Sequence, residues 1–324
     1  MKINQRYRRF IPKIAGITVA IVVVLGTVLL RIPSTNAASL HKKYQFIKTN
    51  YTVPSSNVAW VATDGSDTSG NGTEGSPYAT FKKALASISN GGTVVAKSGI
   101  YRQPHFFVSG DNVTIQAAPG AEVWLKGSDV VNSWTSENGI WKTTGNYHNF
   151  CHVCTTNANP SVEGVAAYPE QVFINDEPLK QVKTKAEVTP GSNTFYVEDN
   201  TPTTLKTPNN NADGYNIGQQ DAISYYIGKN PASGVTEISE RARAFTSTGK
   251  NVSVKGINVA QYSPVQVWGF KDPYDPAADR GVYSGPTAVS INGSGSLVQD
   301  MIVTQSASQG LFFNKAESST ARGV

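Results

Sequence analysis

The sequence predicts an all-β chain built as a pile of short coils with one helix roofing its end, and three observations carry that expectation. A single amphipathic helix, expected within Pro77 to Ser89, stands ahead of many short β runs separated by Gly and Asn. Two segments recur: Gly110-Asp111-Asn112-Val113-Thr114-Ile115 returns as Gly249-Lys250-Asn251-Val252-Ser253-Val254, and Val254, Ile257, Val259 and Gln261 match Val298, Met301, Val303 and Gln305 at a constant offset of 44. Stacked coils need such matches, because each buries its inward residues on the equivalent residues of its neighbour. Charged residues are only 16% of the chain, as expected of an exported β protein rich in turns.

The helix is legible in its details. Ser76 is the expected N-cap and Pro77 the first helical residue, where a missing N–H costs nothing. Phe81, Ala84, Leu85 and Ile88 recur at helical spacing, Lys82 and Lys83 face away, and Asn90-Gly91-Gly92 ends the segment. A helix placed there covers backbone groups that an open sheet edge leaves unpaired. Strands follow at Thr93 to Ala96, Asn112 to Gln116 and Val123 to Leu125.

The Gly-rich loop, Ser76-Pro77, the Phe81/Ala84/Leu85 helix, Gly92-Thr93-Val94 and Gly99-Ile100-Tyr101 resemble the N-terminal cap of the pectate-lyase-like right-handed parallel β-helix family. Pro169 to Val182, with Pro190-Gly191 and Phe195-Tyr196-Val197, is similar to a segment that interrupts the early coils in one branch of it. The resemblance covers roughly Val58 to Val324 and implies a right-handed parallel β-helix with a capping α-helix and an inserted β-rich lobe. It implies a sugar-directed function without locating its machinery, since the calcium-binding Asp cluster and catalytic Lys of family nine polysaccharide lyases lie on later coils, and no residue here matches them.

Five regions are expected. Residues 1–37 hold a basic tail and the 17-residue apolar run Ile14 to Leu30, read either as a transmembrane anchor that stops at Arg31 or as a signal segment cleaved after Thr35-Asn36-Ala37. Both readings export everything beyond Arg31, so the protein is expected to be membrane-anchored or secreted. Residues 38–56 read as a tether, 57–130 as the cap and first coil, 131–248 as an inserted β-rich region, and 249–324 as further coils that stop early, with Ala321 to Val324 starting another turn. In the insertion, Gln171 to Ile174 and Leu179 to Val182 flank Asn175-Asp176-Glu177-Pro178 as a hairpin, and Ala222 to Ile227 reads as another strand.

Charge excludes one partner class. The formal charge is +5, but residues 1–37 contain Lys2, Arg6, Arg8, Arg9, Lys13 and Arg31 and no acid, leaving 22 basic against 23 acidic groups, near −1. The basic excess belongs to the targeting segment, and no nucleic-acid partner is expected. A polysaccharide is the expected partner, and the chain is expected to be a monomer.

The residues able to carry chemistry are few. Cys151 and Cys154, with His148 and His152 beside them, read as a local disulfide or as zinc ligands; their crowding into seven residues and the exported setting favour the disulfide. The loop Lys271-Asp272-Pro273-Tyr274-Asp275-Pro276-Ala277-Ala278-Asp279-Arg280 is the suggestive acidic group. Lyases of uronic-acid polymers need carboxylates to hold a hard cation and a nearby base to take the C5 proton, so Asp272, Asp275 and Asp279 are candidate calcium ligands and Arg280 or Lys271 the candidate catalytic residue. A solvated turn whose Asp-Pro pairs only fix backbone direction is the alternative reading of the same residues, and the one the sequence favours. Asp64 and Asp67 read as a calcium pair or as Asx-turns. Tyr225, Tyr226, Trp268 and Phe270 read as exposed platforms for sugar rings or as half-buried strand positions. The function these features suggest is a polysaccharide lyase or epimerase acting on uronic-acid polymers, or a non-catalytic adhesin or glycan-binding stalk on the same fold.

Overall fold

The computed structural model describes Tyr44, residues 47–148, Phe150 and residues 169–199, 220–264 and 287–324. Among them the chain is all-β apart from one short α-helix and the single-turn 3-10 helices Lys185–Glu187 and Pro231–Ser233, and its sheets are of two kinds. In chain order the elements are β1 (Val58–Val61), α1 (Phe81–Ser87), β2 (Thr93–Ala96), β3 (Gly99–Tyr101), β4 (Phe106–Val108), β5 (Thr114–Ala117), β6 (Val123–Lys126), β7 (Ser128–Val130), β8 (Thr135–Glu137), β9 (Ile140–His148), β10 (Val172–Ile174), β11 (Glu177–Pro178), β12 (Lys180–Gln181), β13 (Thr194–Asp199), β14 (Gln220–Ile227), β15 (Thr236–Ser239), β16 (Phe245–Ser247), β17 (Ser253–Lys255), β18 (Ile257–Ala260), β19 (Thr287–Ile291), β20 (Leu297–Gln299), β21 (Val303–Thr304), β22 (Gln309–Phe313) and β23 (Thr320–Arg322).

Three sheets are wholly parallel. The first wall is β1-β2-β5-β17-β20-β23, the second β3-β6-β18-β21 and the third β4-β16-β19-β22. The chain visits third, first and second wall in rotation, so β4-β5-β6, β16-β17-β18 and β19-β20-β21 each add one strand to every wall. Register follows the sequence repeats: Thr114 pairs with Ser253, Val254 with Val298, and Val259 with Val303. Backbone that must adopt positive φ repeats at the same offset of 44, at Asn251 and Gly295, Gly256 and Asp300, and Gln261 and Gln305. Those are the wall-to-wall corners, which explains the Asn, Gly and polar residues between strands.

One core lies between the walls. Phe106, Phe245, Val289 and Leu311 are successive inward neighbours on the third wall, and Phe106 stacks on Phe245 at 5.6 Å. Helix α1 packs against β1, β2 and β4, at the end where β1, β3 and β4 are edge strands. Its Phe81, wholly buried, stacks on Phe106 at 5.3 Å and meets Tyr101 edge-on at 5.2 Å. The helix begins later than the sequence suggests. Thr80, in extended backbone, is the N-cap and accepts from Lys83 N, so Ser76 and Pro77 belong to the preceding loop. Asp67 fixes this start: Oδ1 accepts from Ala79 N (2.8 Å) and Thr80 N (3.0 Å), and Oδ2 from Thr80 Oγ1 (2.7 Å). Its oxygens are thus committed to backbone and cap 12 and 13 residues along, a longer reach than the Asx-turn the sequence suggests.

Close packing also fixes the loops between the third and first walls. A Cβ on Gly249 would lie 2.1 Å from the Gly110 carbonyl oxygen, and one on Gly293 would lie 1.7 Å from that of Gly249. Successive coils touch backbone to backbone there.

The segment expected to be a tether is held to the walls where it is described. Tyr44 packs against Trp124 and Ala260 on the outside of the second wall. Thr49 O accepts from Gly120 N, Thr52 O accepts from the Gln116 side chain, and Tyr51 Oη donates to Asp300. Its binding to two different coils explains why a segment without periodicity is nonetheless ordered. The apolar run Ile14 to Leu30 lies outside the described residues; among those described, no helix is long and apolar enough to cross a membrane.

The other two sheets form a lobe between β6 and β16. A short antiparallel sheet, β11-β10-β15-β7, faces a longer one, β12-β13-β14-β9-β8. Val172, Ile174, Leu179, Phe195, Ile223, Tyr225, Ile227 and Ile238 form a separate core between them. The hairpin turn is the two residues Asn175 and Asp176, at φ 53° and 62°.

Candidate functional site

Strand β7 leaves the second wall directly after β6, and β15 pairs with it antiparallel, so the lobe is joined to the wall along one seam. Two clusters of charge occupy that seam, close together in sequence on β15 and the residue after it.

The first centres on Lys126, at the end of β6. Its side chain is wholly buried, and Nζ donates to Asp176 Oδ1 (2.6 Å) and to Glu237 Oε1 and Oε2 (2.8 and 2.7 Å). Glu237 on β15, also wholly buried, accepts further from Arg102 Nη2 and Ser128 Oγ. Two cations thus meet two carboxylates, which is the condition under which burying charge is tolerable. Burial pushes the Asp176 carboxyl up and Lys126 opposes it. Asp176 also spans coils: its Oδ1 accepts from Gln261 Nε2 (2.9 Å) and its carbonyl from Gln305 Nε2 (2.6 Å). Because Gln261 and Gln305 sit at equivalent corners, the hairpin tip is gripped by three successive coils. Asp176 Oδ2 and Gln305 Oε1 are buried with no hydrogen-bond partner among the described residues.

The second cluster lies at the end of β15. Glu240 N donates to Gly127 O on the wall side, and Glu240 Oε2 accepts from His148 N at the end of β9 in the lobe's other sheet (2.9 Å). Glu240 Oε1 is buried with no hydrogen-bond partner among the described residues. Burial pushes this carboxyl up to about 7; Asp129 adds to the rise, while the His148 amide and Arg241 act against it. Arg241 is already committed, since its guanidinium donates twice to Asp129 (2.8 and 3.1 Å). Tyr225, wholly buried on β14, has a hydroxyl without a hydrogen-bond partner among the described residues, and burial, with Glu170, Glu240 and Tyr147 nearby, drives its ionisation well up. Tyr147 meets it edge-on at 5.2 Å and is tied to Thr143 at 2.8 Å.

These clusters have different chemical capacities. The Lys126 group sets two cations against two carboxylates. A carboxyl that titrates near neutrality can hold or release a proton under ordinary conditions, which is the property asked of an acid or base group.

Of the residues singled out from the sequence, His148 and Tyr225 lie at the second cluster. Lys271, Asp272, Asp275, Asp279 and Arg280, as well as Cys151 and Cys154, lie outside the described residues, as do Trp268 and Phe270. Among the described residues no group of three or more His, Cys, Asp or Glu is placed to hold a metal ion. Tyr225 and Tyr226 are not exposed platforms: both are buried, the first in the lobe core and the second under Lys185, whose Nζ lies 3.9 Å from the ring centroid. Sequence reading passed over Lys126, Glu237 and Glu240. The available signal was a lone charge inside an apolar strand, as in Val123-Trp124-Leu125-Lys126, which folding tolerates only when a partner is supplied.

No family model matches the sequence, and no curated protein matches it. Among solved structures the chain is similar to one described as the complex of XylC with xylose, with 19% identity and a TM-score of 0.53, covering 75% of this chain and 40% of that one. It is also similar to one described as a glycoside hydrolase, with 11% identity and a TM-score of 0.47, covering 79% of this chain and 63% of that one. The present chain therefore spans well under half the length of the first. At these identities the likeness is one of fold.

Proposed function

We propose that this chain belongs to an extracytoplasmic, carbohydrate-active protein, in which the three parallel walls form a right-handed parallel β-helix of the pectate-lyase-like kind and the lobe rims a saccharide-binding groove. The observation that carries the reading is the likeness of fold, over 75% of this chain, to a protein described in complex with xylose. It favours a neutral glycan built from pentoses over a uronic-acid polymer as the ligand. Residues 1–37 export the chain or tether it to a membrane, which suits a polymer met outside the cell.

A second reading rests on the composition of Lys271 to Arg280. There Asp272, Asp275 and Asp279 hold calcium, which neutralises a uronate carboxylate, and Arg280 or Lys271 takes the C5 proton. The two readings separate in one experiment on the purified chain. Calorimetric titration with xylose and xylo-oligosaccharides should give saturable binding that is indifferent to chelator. Binding of polygalacturonate or alginate that needs calcium, with growth of unsaturated-uronate absorbance, would instead establish the lyase reading. Retention of no saccharide of either class sinks both.

A further inference from the structure

The outer face of the first wall carries a row of polar side chains. Val254 and Val298 belong to the core, so the residues on either side of each point outward. Register sets Gln116, Lys255, Gln299 and Arg322 side by side on four successive strands. No lobe strand joins this wall. One end of the row is closed, because Thr52 O accepts from the buried Gln116 side chain (3.1 Å). Past that point it opens: Lys255 and Gln299 are half-buried and Arg322 is exposed. We propose that this open stretch is a docking strip for an acidic polysaccharide with a carboxylate on alternate sugars, held by Lys255 and Arg322 with the Tyr51 ring beside them.

Charge complementarity carries the assignment. Lys255 has no acidic partner among the described residues, and its Nζ stands 5.8 Å from the centroid of the Tyr51 ring. Arg322 donates through Nη2 to the neutral Gln299 Oε1 (2.6 Å) and makes no ion pair among the described residues. The acid beside the row, Asp300, is occupied: Tyr51 Oη donates to it, and so does Gln299 Nε2 (2.9 Å). Outside residues 1–37 the chain has 22 basic against 23 acidic groups, so two cations without acids in one row are a local feature, not a sample of a basic surface.

Spacing selects the kind of polyanion. Lys255 and Arg322 lie two strands apart, about 10 Å at ordinary strand separation. That is close to the length of one disaccharide in an extended glycan, so a chain laid across the strands meets one cation per repeat. Tyr51 supplies an aromatic face next to the first cation. Its ring is pressed on the Gly256 corner, where a Cβ would lie 3.3 Å from Cε2, and its hydroxyl is anchored on Asp300, so little freedom is lost when a sugar stacks there.

Affinity electrophoresis of the intact chain in gels containing hyaluronate, a glycan with a uronate on alternate sugars, tests the strip with chelator present throughout. The wild type should be retarded at low ionic strength and released by about 0.5 M salt. The double variant Lys255→Gln/Arg322→Gln should bind about fivefold more weakly or worse, while Lys255→Arg should be retarded as the wild type is. All three proteins should bind xylo-oligosaccharides alike in calorimetry, which separates this wall from the groove. If the double variant melts early, the two single variants make the same comparison. Hyaluronate held while xylo-oligosaccharides are not would sink the groove and support the strip. A wild type that is not retarded, variants retarded as strongly as the wild type, or displacement of hyaluronate by inorganic polyphosphate at equal charge concentration overturns the proposal.

Discussion

Lys126 and Glu240 serve the same joint by opposite means. Around Lys126, every buried charge has a counter-charge within hydrogen-bond distance, supplied among Asp176, Glu237 and Arg102, with Asp176 Oδ2 left over. Around Glu240, the neighbouring cation Arg241 is bound to Asp129, and among the described residues the carboxyl meets burial with a single amide. Both places bury a carboxylate along or just after β15, Glu237 near its start and Glu240 past its end; what separates them is the supply of cations. Burial opposes ionisation at Asp176 and at Glu240 alike, but at Asp176 a buried lysine answers it.

The comparison breaks most visibly at Lys126. Lys126→Met should strand Glu237 and Asp176 and cost about 4 kcal/mol in chemical denaturation, because removing one partner of a buried pair leaves the other uncompensated. A loss under about 1 kcal/mol would mean that water reaches the knot. Next comes the pH dependence of the whole chain. Folding raises the Glu240 carboxyl from its ordinary 4.5 to about 7, so the folded state binds the extra proton. Its stabilising contribution is complete below about pH 4.5 and is lost as pH rises through 7, a fall of about 3 kcal/mol. Melting curves across that interval should show the fall in the wild type and its absence in Glu240→Gln.

Smaller effects test the coils against the lobe. Gly293→Ala forces a Cβ onto the Gly249 carbonyl oxygen, a backbone atom that cannot swing aside, and should cost about 2 kcal/mol by thermal unfolding while leaving the lobe's pH response intact. Asp67→Ala removes the acceptor that holds Ala79 and Thr80 and should cost about 1 kcal/mol, read as early fraying of α1 by amide exchange.

What could be read from the sequence divides along the same line. The coil register was visible because inward residues of stacked strands must match, so Val254 and Val298, or Val259 and Val303, announce their pairing. The roof helix was visible through its apolar spacing, but its start was misplaced: Ser-Pro is a common helix opening, whereas here Asp67, thirteen residues before Thr80, chooses the cap. The seam was hidden because its partners come from 111 residues apart, as with Lys126 and Glu237, and no local pattern carries such a pairing. Only Gln261 and Gln305, through their shared place in the repeat, hinted that something polar ran down that side of the walls. The lobe's tyrosines misled for a related reason. Tyr225 and Tyr226 alternate on β14, so each faces a different layer, and burial of both depends on the second sheet and on Lys185, neither of which the strand itself encodes.

The grip on Asp176 also sets an order of events at birth. Gln261 follows it by 85 residues and Gln305 by 129. At ordinary synthesis rates the hairpin tip therefore exists for on the order of ten seconds before its last clasp has been made. During that delay Lys126 is its nearest anchor already on the chain. The final coils thus act as a seal applied afterwards, and a defect late in the chain should surface as a poorly seated lobe far upstream.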